Sequence, residues 1–228
     1  MKRTVQVAGE AGYCFGVRRA LDMANDYLSE PSGKVHSLGP IIHNPQVVEE
    51  FRKKGLVPVD SIEQVEEGVL VVRSHGVEKE LIERAKEKGL EIVDATCPFV
   101  KNAQKLARKL VEEGYQLVIL GEESHPEVKG IMSYAGDNAL VVKGAEELKG
   151  KSVGPKVGVL AQTTKSRENF TEVVKAVLDS AYECRAYNTI CNATLSRQTA
   201  AVELAGAVDV MFVVGGKNSA NTRRLAEL

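Results

Sequence analysis

The chain has 228 residues, 43% hydrophobic and 27% charged, with no tryptophan, which is enough to bury a substantial core as one large domain or two or three small ones. Lysine plus arginine (30) nearly balances aspartate plus glutamate (31), so no global basic field points to nucleic acid or an anionic membrane, and any anion is expected to be bound locally. The amino terminus lacks the apolar run of a secretory signal, no later run reaches membrane-spanning length, and four cysteines are too few and scattered for a secreted disulfide framework; a reducing, cytoplasmic setting is expected.

In chain order, Thr4 to Val7 reads as a buried strand and Val35-His36-Ser37-Leu38 as strand-like, and Asn44 stands where it could cap a helix beginning at Pro45. Val69 to Arg73, Glu91 to Asp94, Gln116 to Leu120, Lys156 to Leu160 and Val208 to Val214 are further strands. Between them Leu81 to Lys88, Val100 to Glu113, Arg167 to Leu178 and Thr199 to Leu204 carry helical spacing, the first two ending at Gly89 and Gly114. Strands that alternate with helices predict an α/β fold with mainly parallel sheets.

An internal repeat organises the cysteines. Asp94-Ala95-Thr96-Cys97 and Asn188-Thr189-Ile190-Cys191 each follow a strand-like run and lead into an alanine-bearing amphipathic helix, and Gly12-Tyr13-Cys14 has the same layout before Arg18-Arg19-Ala20-Leu21. Cys14, Cys97 and Cys191 are 83 and 94 residues apart, about one small α/β unit each, and three such units would fit around one centre. Thiolates at helix amino termini are favoured by the dipole, and three meeting at a point demand a cation. Zinc and an iron–sulfur cluster are the candidates; the absence of any C-x-x-C pair weakens zinc, and three cysteines can hold a cubane with one iron left free. Cys184 lacks the turn context and reads as an inert thiol in a strand.

The other strands end in polar residues. His43, His75 and His125 fall in turns at strand ends, beside Ser74, Ser124, Gln162-Thr163-Thr164 and Ser219-Ala220-Asn221, where open parallel sheets bind ligands. Imidazole, hydroxyl, amide and helix amino-terminal donors suit a diphosphate held without clustered lysines. Glu127 is the one carboxylate within this set of turn residues, readable either as a proton donor or as a first-turn glutamate favoured by the dipole.

Five ordered strings, Tyr13-Cys14-Phe15-Gly16-Val17, Gly39-Pro40-Ile41-Ile42-His43-Asn44-Pro45-Gln46, Arg73-Ser74-His75-Gly76-Val77, Asp94-Ala95-Thr96-Cys97-Pro98 and Gly215-Gly216-Lys217-Asn218-Ser219, resemble the 4-hydroxy-3-methylbut-2-enyl diphosphate reductase family of iron–sulfur enzymes. Ala161-Gln162-Thr163-Thr164 and Asn188 to Thr194 match as well, so the resemblance runs from Cys14 to the carboxyl terminus. It implies three similar small α/β domains arranged as a trefoil around a central cluster, drawn as residues 14–97, 98–191, and 1–13 with 192–228. It implies a [4Fe-4S] cluster on Cys14, Cys97 and Cys191 with one open iron site for the substrate's allylic oxygen. His43, His75, His125, Thr163, Ser219 and Asn221 would bind the substrate, and Glu127 with Thr163 and His125 would serve catalysis, Glu127 and Thr163 as the proton route. The partner implied is a small electron-transfer protein such as flavodoxin or ferredoxin.

Two departures stand out. Ala220 occupies a place where the family pattern has a second serine, and the chain ends at Leu228 before a further strand and helix bearing an Ala-Gly-Ala-Ser-type turn, so the third domain is expected to be incomplete. The rival readings are a truncated or non-enzymatic iron–sulfur redox protein and a zinc-dependent phosphate-ester hydrolase using the same histidines.

Overall fold

The computed structural model of the chain describes residues 4–29, 33–136, 138–217 and 219–228. Two four-stranded sheets, built alike, carry it. In the first, β1 (Val35–Leu38) lies between β2 (Leu56–Val59) and β3 (Val69–Val72), with β4 (Glu91–Asp94) beyond β3. In the second, β5 (Gln116–Leu120) lies between β6 (Ala139–Val142) and β7 (Lys156–Ala161), with β8 (Glu183–Ala186) beyond β7. Both sheets run in the order second, first, third, fourth, and all pairings are parallel. The repeat legible around the cysteines is therefore a repeat of topology.

Helices cover both faces of each sheet, which is why the central strands are continuous apolar runs instead of alternating ones. All four residues of β3 are buried, as are the last five of β7. On one face of the first sheet Val35, Val69, Val71 and Val93 pack with Ala20 and Ala24 of α1 (Phe15–Ser29) and Phe51 of α2 (Pro45–Lys53). On the other, Leu38, Leu70 and Val72 meet Ala85 of α3 (Lys79–Glu87). In the second sheet Leu117, Ile119 and Leu160 pack on α4 (Pro98–Glu112) and α5 (Pro126–Met132), while Val118, Val157 and Val159 pack on α6 (Arg167–Leu178). Each buried Val, Leu or Ile side chain contributes roughly 1.5–3 kcal/mol.

Local sequence sets the ends of these elements. Asn44 caps α2, its Oδ1 accepting from the amides of Gln46 at 3.1 Å and Val47 at 3.4 Å, with Pro45 opening the helix. Helices α3 and α4 stop at caps directly before Gly89 and Gly114, as expected. β2 was not legible in the sequence: it has four residues, includes Pro58 and sits at a sheet edge, the position at which a missing N–H is tolerated.

Two expected strands are corrected. Thr4 to Val7 and Val208 to Val214 have strand-like composition but form no strand. A strand is completed by a hydrogen-bonded neighbour, and neither segment has one among the described residues; Val5, Phe212 and Val214 stand more than four-fifths exposed. The third lobe thus consists of α7 (Asn192–Ala205) and α8 (Ala220–Glu227) with no strand among the described residues, beside two complete α/β lobes. Asn218 of the Lys217-Asn218-Ser219 string lies outside the described residues. Among the described residues no helix is long and apolar enough to cross a membrane.

Candidate active site

Each of Cys14, Cys97 and Cys191 stands at the start of a helix. The Cys14 carbonyl accepts from Arg18 N at 2.9 Å, opening α1, and Cys97 and Cys191 are the cap residues of α4 and α7. Burial raises the pKa of the Cys97 thiol, the nearby amides of Phe99 and Val100 pull it down, and the thiols of Cys191 and Cys14 push it up again. The three sulfurs are therefore near enough to repel one another as thiolates, a repulsion that a cationic centre relieves. Gly16 marks how close they come: a Cβ there would lie 2.5 Å from Cys97 Sγ and 4.0 Å from Cys14 Sγ. Among the described residues no three His, Cys, Asp or Glu side chains have the spacing to hold a single metal ion. All four cysteines are free, and Cys184 lies in β8 packed against the core of the second sheet, its pKa raised by burial.

The donors gather where the strand order of each sheet reverses, the place at which open α/β sheets bind ligands. His43 and His75 follow the adjacent strands β1 and β3, and His125 and Thr163 follow β5 and β7. The rings of His43 and His75 are 4.2 Å apart, and His125 lies 5.8 and 5.7 Å from them. His125 caps α5, its Nδ1 accepting from Glu127 N at 3.2 Å, so the neutral ring carries its proton on Nε2 and presents a donor. Burial lowers the pKa of all three, with His125 brought to about 4 and His75 well below its ordinary value; Arg73 adds to each shift, neighbouring imidazoles to those of His75 and His125, and Arg223 to those of His43 and His125. They are neutral at physiological pH. Both nitrogens of His43, Nδ1 of His75 and Oδ1 of Asn221 are buried without a hydrogen-bond partner, polar capacity that a bound ligand would use.

Glu127 is 2% exposed, and burial raises its pKa to about 7 against the opposing pull of two bonds from Thr163. Thr163 N donates to Oε1 at 2.6 Å and Thr163 Oγ1 to Oε2 at 2.8 Å. With Oε1 fixed as an acceptor, a proton on Glu127 sits on Oε2, beside the threonine hydroxyl. Ser219 caps α8, accepting from Thr222 N at 3.3 Å, and Asn221 is in the first turn of that helix. Arg223 on the same helix lowers the pKa of His43 and His125, which brings this helix alongside the triad.

What joins the thiols to the donors is a set of three short links, two of them to the turns after β1 and β3 and one to the turn after β7. Cys97 N donates to Ser74 O at 2.9 Å, next to His75, and Cys191 N donates to Thr163 O at 3.0 Å. Tyr13, next to Cys14, has its hydroxyl accepting from Nδ2 of Asn44, next to His43, at 3.2 Å. These links tie the cysteine turns to the turns of His43, His75 and Thr163; the ring contacts add His125 and the Thr163 bonds add Glu127, while Cys184 lies within β8. The charged frame around these turns was missed: Arg73, and the Glu122 carboxylate held by Lys165 at 3.2 Å and Arg223 at 3.0 Å. An arginine ending the apolar run Val69 to Val72, directly before Ser74-His75, was the available signal.

Residues 5–228 match the family model described as LytB protein. The chain belongs to the LytB family. Among LytB relatives, the 4-hydroxy-3-methylbut-2-enyl diphosphate reductase of Pelobacter propionicus is 50% identical over 224 residues, 98% of this chain and 80% of that protein. Among solved LytB-like structures, (E)-4-hydroxy-3-methyl-but-2-enyl diphosphate reductase, the terminal enzyme of the non-mevalonate pathway, matches with a TM-score of 0.77 at 43% identity over 97% of this chain and 80% of that one. The E-1-hydroxy-2-methyl-but-2-enyl-4-diphosphate reductase of Plasmodium falciparum matches with a TM-score of 0.89 at 26% identity, covering 95% of this chain and 70% of that one.

Proposed function

We propose that this chain carries out the reductive dehydroxylation of 4-hydroxy-3-methylbut-2-enyl diphosphate. The substrate takes up two electrons and two protons, its allylic C–O bond breaks, and isopentenyl and dimethylallyl diphosphates leave with one water. The carrying observation is that each of the three cysteine turns is linked to a donor turn: on this reading an electron-delivering centre and an anion cage share one wall. A [4Fe-4S] cluster, held by Cys14, Cys97 and Cys191, would supply the electrons and one open iron site. The chain's own residues do the rest.

His43, His75 and His125, neutral and in no ion pair among the described residues, donate to the diphosphate, and Ser219, Asn221 and Thr163 complete the cage. Glu127, half protonated near neutral pH, passes the proton on Oε2 to Thr163 Oγ1, whose own hydrogen goes to the departing oxygen. The lobes are drawn as 14–97, 98–191, and 1–13 with 192–228. Thiols kept free of disulfides suit the cytoplasm, and the electrons come from a small carrier such as flavodoxin or ferredoxin. Anaerobic incubation with reduced methyl viologen and synthetic substrate tests the reading: the two five-carbon diphosphates are the expected products, and their absence from protein of full iron content would refute it.

A further inference from the structure

Arg73 lies near enough to the three imidazoles for its charge to act on each. It follows β3, and its Nε donates to Gly76 O at 3.4 Å, across the Ser74-His75 turn. Its guanidinium occupies space left by Gly39 beyond the end of β1: a Cβ on Gly39, whose φ is +71°, would lie 2.6 Å from Arg73 Nη1. The group is thus wedged between the ends of β1 and β3, the two strands that deliver His43 and His75.

The charge there is unbalanced. Burial lowers the pKa of Arg73, Glu78 opposes this only through space, and no carboxylate forms an ion pair with Arg73 among the described residues. Arg223, the other cation near the triad, is bonded to Glu122, which Lys165 also holds. A partly buried cation without a counter-ion is unfavourable until an anion arrives, and the three neutral rings near it offer hydrogen bonds but no charge.

We propose that Arg73 is a positioning residue for the diphosphate, its guanidinium supplying the fixed positive charge behind the His43, His75 and His125 donors and bracing the turn that carries His75. This rests on the reading of the triad as a diphosphate cage. Arg73 acts through the histidines: its field disfavours their protonation, so they remain neutral donors and the permanent charge stays one layer back, where it strengthens every bond to the anion.

The test compares wild type, Arg73→Met and Arg73→Lys at equal iron content, measuring KM and kcat for the substrate and the inhibition constant of inorganic diphosphate. Arg73→Met is expected to raise KM and the inhibition constant together by roughly tenfold or more, with kcat falling far less, and Arg73→Lys to recover most of the loss because it keeps the charge. An unchanged inhibition constant in Arg73→Met overturns the inference, as does an Arg73→Lys protein that fails equally despite a wild-type melting curve. If inorganic diphosphate does not inhibit wild type at all, the cage itself is misread and the inference falls with it.

Discussion

Glu127 is the residue whose environment says most about its use. Buried at the start of α5 and with a pKa raised to about 7, it keeps a proton available at the pH where most carboxylates have lost theirs. Glu127→Gln keeps the shape of the side chain and one of its two acceptor oxygens but has no transferable acid proton to give. It is expected to bind substrate with near-normal affinity while turnover drops by two orders of magnitude or more, read as kcat against KM. Wild-type turnover is expected to decline as pH rises through about 7, and the Glu127→Gln residual rate to lose that dependence. Gly16 offers a second test. A methyl group at this position would meet Cys97 Sγ at 2.5 Å, so Gly16→Ala is expected to lose most of its iron, assayed with the visible spectrum, and a fully loaded Gly16→Ala protein would contradict the placing of the thiols. At this scale the cysteines and histidines stood out as candidates because chemistry-bearing residues in turns have few structural reasons to be there, whereas the roles of Glu127 and Thr163 came from the family resemblance. Arg73 and Glu122 did not stand out, because charged residues at strand ends are usually solvated, and only the packing of neighbouring strands turns one of them inward.

Helices and strands place those side chains, and their caps are part of the site. Asn44 does two jobs: its Oδ1 accepts the first amides of α2 and its Nδ2 donates to Tyr13 beside Cys14. Asn44→Ala is expected to cost about 1 kcal/mol in denaturant unfolding and to raise KM as His43 loses its fixed turn; unchanged KM with the stability loss alone would separate the cap from the site. Cysteine substitutions discriminate the elements further. Cys97→Ser at the start of α4 is expected to abolish iron binding, whereas Cys184→Ser within β8 should retain it, measured as iron and sulfide per chain. The strands of long apolar runs, such as Gln116–Leu120, were readable to the residue. Edge strands β2 and β6 were not, since four residues of mixed burial, one of them Pro58 in β2, leave too short a pattern to read. Val208 to Val214 misled in the opposite sense: composition suits a strand, but pairing decides whether one forms.

For the whole molecule, two sheets of identical strand order bring the turns after β1, β3 and β5 together at the three imidazoles. Burying neutral imidazoles and a protonated carboxyl together makes stability depend on pH in two opposed ways. His43, His75 and His125 bind protons less tightly folded than their ordinary value of 6.5, so the unfolded chain takes up protons first and stability falls as pH drops from about 6.5 towards 4. Glu127 does the reverse, from 4.5 unfolded to about 7 folded, so its contribution is complete below 4.5 and is lost as pH rises through 7. Chemical denaturation of wild type and Glu127→Gln should therefore diverge between pH 4.5 and 7, with wild type losing stability relative to the variant as pH rises; parallel curves would mean that Glu127 is ionised throughout.

The central claim is that the thiol centre and the donor cage form one site, so the most direct measurement is the spectrum of the centre while the cage is filled. Substrate titrated into anaerobically purified, oxidised protein is expected to change the Mössbauer signature of one iron saturably, in step with occupancy of the cage. Saturating substrate that leaves every iron site unchanged would contradict the account.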